Sequence, residues 1–102
     1  MQFSELYKEP RKRYFSYTDT SFVSGGSPAT HDVFSVLKRN AIDGYVICDG
    51  AGDLSFAISE DGTNYGQEIV LKSSEKKELK NISVNKIRVT HIADSSYRVF
   101  CL

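Results

Sequence analysis

The chain lacks net charge: thirteen Lys and Arg offset thirteen Asp and Glu among its 102 residues. A nucleic-acid-binding domain is usually clearly basic, so this balance argues against that class. Neutrality also removes the mutual repulsion that keeps copies of a protein apart. The start, Met1-Gln2-Phe3-Ser4-Glu5-Leu6, lacks the charged and apolar regions of a signal peptide. No apolar run approaches the roughly 20 residues of a membrane helix. The expectation is synthesis in a reducing cytoplasm and no membrane partner. Trp is absent, and Cys occurs only at 48 and 101. One Cys at each of two distant positions, with scattered His, forms no zinc knuckle. Two buried thiols are the simplest reading, while a disulfide would require neighbouring strands and a product that leaves the cell. Without a secretory route the sequon Asn81-Ile82-Ser83 carries no weight. His31 and His91 have no nucleophile-elbow spacing or Gly-rich oxyanion loop to work with, so no enzyme and no cofactor are expected. Asp43, Asp49, Asp53, Glu60 and Asp61 match no calcium loop.

What is present is β-forming. Six Tyr and six Phe suit a sheet surface, where aromatics pack across strands. Residues 1–29 read as an N-terminal arm and loop: a basic cluster, Arg11-Lys12-Arg13, then an aromatic stretch that can form a strand over 14–18, then Ser24-Gly25-Gly26-Ser27-Pro28. The basic-aromatic sequence could suggest stacking on a nucleic acid; one triplet in a neutral chain favours a solvated arm, or one that docks on an acidic neighbour. Residues 30–40 fit a strand or a short helix capped by Thr30 with Val33, Phe34 and Leu37 on one face.

Residues 30–102 read as one domain of short strands at about ten-residue spacing. Leu54, Phe56 and Ile58 alternate with Ser55, Ala57 and Ser59 as a half-buried strand. Segments 68–72 and 78–82 flank Ser73-Ser74-Glu75 as a hairpin, and His91 shares an apolar face with Ile87 and Val89. In the final strand Tyr97, Val99 and Cys101 fall on one face, Phe100 and Leu102 on the other, so both faces need cover. Either that strand is central or another chain buries its outer face. The fold class is all-β: a small antiparallel sandwich or barrel-like domain of about six to eight strands with an extended N-terminal arm.

Several stretches together resemble small virion proteins of tailed bacteriophages: the run from Gly44-Tyr45-Val46 through Ser59-Glu60-Asp61-Gly62, then Glu68-Ile69-Val70-Leu71-Lys72, Lys86-Ile87-Arg88-Val89-Thr90 and Ser96-Tyr97-Arg98-Val99-Phe100. The resemblance spans about residues 25–102 and leaves the arm uncovered. It implies a non-enzymatic β-sandwich part, made in the host cytoplasm and placed in the virion as capsid decoration or cement, or as a tail accessory. Implied partners are capsid or tail subunits and further copies of the chain. Under it Tyr97, Val99, Phe100 and Leu102 would line the core or a subunit seam, and Arg11, Lys12 and Arg13, with Tyr14 and Phe15 beside them, would reach an adjacent protein. The rival class is a carbohydrate-binding or receptor-binding module, with Tyr45, Tyr65 or Tyr97 as the platform on which a sugar stacks.

Overall fold

The structure, a computed structural model, describes residues 13–23 and 28–102. Among these residues the strands are β1 (Phe15–Phe22), β2 (Ala29–Asp32), β3 (Ala41–Cys48), β4 (Leu54–Ser59), β5 (Ile69–Leu71), β6 (Lys76–Val84), β7 (Lys86–His91) and β8 (Ser95–Cys101), and a short helix, α1 (Val33–Leu37), lies between β2 and β3. They form two four-stranded sheets, ordered β1-β8-β3-β6 and β2-β7-β4-β5. All pairings are antiparallel. The all-β sandwich expected from strand spacing is therefore the fold.

The chain switches sheets at every connection except β4 to β5. Period-two patterning makes this workable, because each strand carries one apolar face to the inter-sheet core wherever it lands. Val46 and Cys48, Leu54 and Phe56, Ile87 and Val89, and Tyr97, Val99 and Cys101 all meet there, each almost fully buried. Phe22 packs edge-on against Tyr97 at 5.1 Å between ring centroids. Burying such a side chain stabilises the fold by about 1.5–3 kcal/mol.

The strand allowed at 14–18 runs from Phe15 to Phe22 and belongs to the sandwich: it pairs with β8, and Phe15 and Phe22 join the core. Residues 30–40 satisfy both readings in turn. β2 ends at Asp32, which replaces Thr30 as the N-cap by accepting from the Ser35 N–H, and α1 stops at Lys38, which takes φ 60°. Val33 and Leu37 are buried while Phe34 is exposed.

The expected hairpin around Ser73-Ser74-Glu75 does not form. β5 pairs with β4, whereas β6 pairs with β3 in the other sheet. The connecting turn places Ser74 at φ 67°, and the Lys72 N–H donates to the Glu75 carboxylate. Two β segments around a polar turn look alike whether they pair or part. β4 is also more buried than an alternating strand should be: Ser55, Ala57 and Ser59 are covered too. Its outward residues are small, and longer neighbours close over them; Ser55 donates to Glu68, whose carboxylate also holds Arg88 at 3.0 Å.

Cys48 and Cys101 are free thiols on adjacent strands. Cys48 sits opposite Tyr97 and Cys101 opposite Gly44. Four residues of strand separate them, about 13 Å, and a disulfide spans less than about 7 Å between Cα atoms. The pairing left open by the sequence is thus excluded by register.

Candidate functional site

Two surface features could carry binding. The first lies on the outer face of the β1-β8-β3-β6 sheet. Register places Phe100 of β8 opposite Tyr45 of β3 and opposite Ser16 of β1. Tyr14, just before β1, stacks on Phe100 at 5.8 Å, and Phe100 stacks on Tyr45 at 5.4 Å, with interplanar angles of 23° and 19°. The Lys76 ammonium of β6 lies 5.2 Å from the centre of the Tyr45 ring. An aromatic ladder thereby crosses the sheet, flanked by charges. Near one end a shallow cavity of about 280 Å³ is lined by Tyr45, Phe100, Leu102, Asp43, Glu78 and Lys80. Toward the other, Arg98 grips Asp49 through two hydrogen bonds of 2.7 and 2.9 Å, and that contact raises the guanidinium pKa. Tyr14 is 56% exposed and Leu102 41%.

This sorts the residues singled out in the sequence. Tyr14, Phe100 and Leu102 lie together on the outer face, and Arg13 is exposed beside them in sequence. Phe15, Tyr97 and Val99 point the other way and are buried in the core, so they are unavailable to a subunit seam. The last strand is central, since β8 lies between β1 and β3. Its outer face is covered in part by Tyr14 and Tyr45 from the same chain. Arg11 and Lys12 lie outside the described residues. Tyr97 is excluded as a sugar platform by its burial, whereas Tyr45 and Tyr65 remain accessible in part. The ladder was hard to see in sequence because its members stand at 14, 45 and 100; only cross-strand register brings them together.

The second feature is an open cavity of about 630 Å³ around Tyr65. β5 has three residues and pairs with only Leu54, Ser55 and Phe56 of the six-residue β4. Beyond it the chain swings out through residues 60–68, with an isolated bridge, Ser59 to Tyr65, and a backbone bond from the Gly66 N–H to the Ile58 carbonyl, 3.0 Å. Asp61 organises this loop. Its carboxylate accepts from the Asn64 and Thr63 N–H groups, the Asn64 amide and the Ser59 hydroxyl. These bonds, led by the one from Asn64 N–H, hold its pKa well below the usual carboxylate range. Arg88 covers one face of the Tyr65 ring at 4.4 Å.

The acidic loop residues have found other work: Asp61 caps its loop, Asp49 holds Arg98, and Asp53 accepts from the Ser73 N–H. No group of three or more metal-binding side chains occurs among the described residues. Of the candidate nucleophiles, Cys101 lies in the core, where burial pushes its thiol up to about 12. His31 shares a 2.7 Å hydrogen bond with the Tyr97 hydroxyl in the interior, and His91 bonds Asp94 at 2.7 Å. Both histidines thus have structural work to do. Among the described residues no helix is long and apolar enough to cross a membrane.

No protein-family profile matches the chain, and no curated protein matches it. Among solved structures, the crystal structure of PirA is similar at 9% sequence identity over 93% of this chain and 98% of that one, with a TM-score of 0.45. At that score the likeness carries no argument.

Proposed function

We propose that the protein is a non-enzymatic structural component of a phage virion that docks on neighbouring capsid or tail subunits and assembles with them symmetrically. The observation that supports this reading best is the Tyr14, Phe100 and Tyr45 ladder on the outer face of the β1-β8-β3-β6 sheet. An aromatic centre bordered by charged groups is the arrangement that concentrates binding energy at protein interfaces. Lys76, Glu78, Lys80 and the Arg98–Asp49 pair supply that border. The sequence resemblance supplies the partner class, and zero net charge lowers the cost of dense packing.

Docking by the face also agrees with the sheet edges. β6 is an edge strand whose exposed residues include Lys76, Lys77 and Lys80, and charged edges resist strand addition. In this reading Arg11, Lys12 and Arg13 extend the contact to an acidic neighbour.

The test is recovery of the protein with purified particles. The doubly substituted Tyr14→Ala/Tyr45→Ala chain should fold, since both rings lie outside the core, and should bind depleted particles at least about tenfold more weakly. Unchanged recovery would remove the ladder from the interface.

A further inference from the structure

We propose that the cleft around Tyr65 is a second binding site, distinct from the aromatic ladder, and that its ligand is a neutral carbohydrate presenting a pyranose ring. The cleft exists because β5 stops short. Beyond Phe56, β4 stays paired with β7 but loses β5 on its other edge, and the edge of the opposite sheet, β6, stands across the gap. The floor comes from both sheets: Ile58 of β4 and Ile69 of β5 on one side, Ile82 of β6 on the other. All three are only partly buried against the core. At about 630 Å³ the space lies within the range of about 300–1,000 Å³ typical of small-ligand sites.

The chemistry of the walls selects the ligand. Tyr65 presents a ring whose orientation is set before any ligand arrives, with Arg88 on one face and Glu68 holding Arg88. The Asp61-capped loop fixes the backbone that carries it. Such preorganisation lowers the entropy lost on binding. At the rim, the Glu60 carboxylate and the Gln67 amide have no side-chain hydrogen bond to any described residue. They offer acceptors and donors together, which suits hydroxyl groups that both give and receive. An apolar floor with an aromatic wall suits the C–H face of a sugar ring, and the polar rim suits its hydroxyl edge. A phosphate or carboxylate ligand would meet Glu60 and Asp61 and is disfavoured by like charge. A fully apolar ligand would leave the Glu60 carboxylate desolvated and unpaired.

The cleft and the ladder involve different residues, so one can fail without the other. Amide chemical shifts of the full chain should be followed during separate titrations with glucose, galactose, mannose, rhamnose, N-acetylglucosamine and their β-linked disaccharides, in the millimolar range. Saturable shifts centred on Tyr65, Gln67 and Ile82 are expected with at least one of them. Tyr65→Ala should weaken that binding ~tenfold or more, and Glu60→Gln and Gln67→Ala, which break no internal hydrogen bond, should weaken it several-fold with an unchanged melting temperature. Tyr65→Phe keeps the ring and should retain most of the affinity, which separates stacking from loss of loop structure. Saturable shifts centred on Phe100 and Tyr45, shifts produced by a lysine-rich peptide with none from any sugar, or no saturable shift across the panel would each overturn the proposal.

Discussion

His31 and Tyr97 show how single residues tie the two sheets together. His31 stands on β2 and Tyr97 on β8, in opposite sheets, and the 2.7 Å hydrogen bond between them crosses the core. Tyr17 and Phe22 pack around the pair, with ring centroids 4.2 Å from His31 and 5.1 Å from Tyr97 respectively. Burial favours the uncharged ring and lowers the His31 pKa from 6.5, although the Asp19 charge pulls the other way. The folded state therefore binds this proton less readily than the unfolded chain. The stability involved is fully present above pH 6.5 and declines as pH falls through and below that value. Melting temperature should fall as the solution is taken from about pH 7 to about pH 5, and the fall should be smaller in His31→Gln; an identical decline in both would contradict the assignment. Tyr97→Phe leaves the ring in place but strands a buried imidazole nitrogen, so denaturant unfolding should show a loss of about 1–3 kcal/mol. The sequence placed Tyr97 on an apolar strand face but gave no sign of its partner. A contact across 66 positions leaves no trace in local pattern.

At the scale of elements, alternation was legible and pairing was not. β7 and β8 follow their expected faces closely, because Ile87, Val89, Tyr97, Val99 and Cys101 announce a core side by period two. The turn at Ser73 to Glu75 misled, since its residues serve a crossing between sheets as well as they serve a hairpin. β6 and β7 are joined through Asn85 alone, and this abrupt crossing is held by side chains: Asn85 donates to Asn40, and Asn40 donates to Ser83 and to the Glu60 carbonyl. No periodicity signals such a corner. Gly44 marks another place where pairing decides the residue. A Cβ there would collide with the carbonyl oxygen of Phe100 and come within 2.9 Å of the Cys101 Cα, across the β3–β8 ladder. Gly44→Ala should cost roughly 2–3 kcal/mol in denaturant unfolding; a neutral result would mean that the two strands can part without consequence. Because Phe100 and Tyr45 face each other in that ladder, the same variant should also disturb the outer aromatic face.

The whole molecule is a sandwich with two surfaces that its core does not explain. The aromatic ladder spans the outer face of one sheet, and the Tyr65 cleft opens between edge strands β5 and β6. Of the two faces of the last strand expected to need cover, the inward one is met by the opposite sheet and the outward one in part by Tyr14 and Tyr45. What remains exposed is the ladder itself, with Leu102 near it. That narrows the proposed assembly surface to side chains that substitution can remove without opening the core. The most direct measurement is quantitative binding of wild-type and Tyr14→Ala/Tyr45→Ala protein to purified particles that lack it. The account predicts saturable, symmetric-copy binding of the wild type and binding weaker by about tenfold or more for the variant, at matched melting temperature. Equal binding by both proteins, or no binding of the wild type to any capsid or tail preparation, would contradict it.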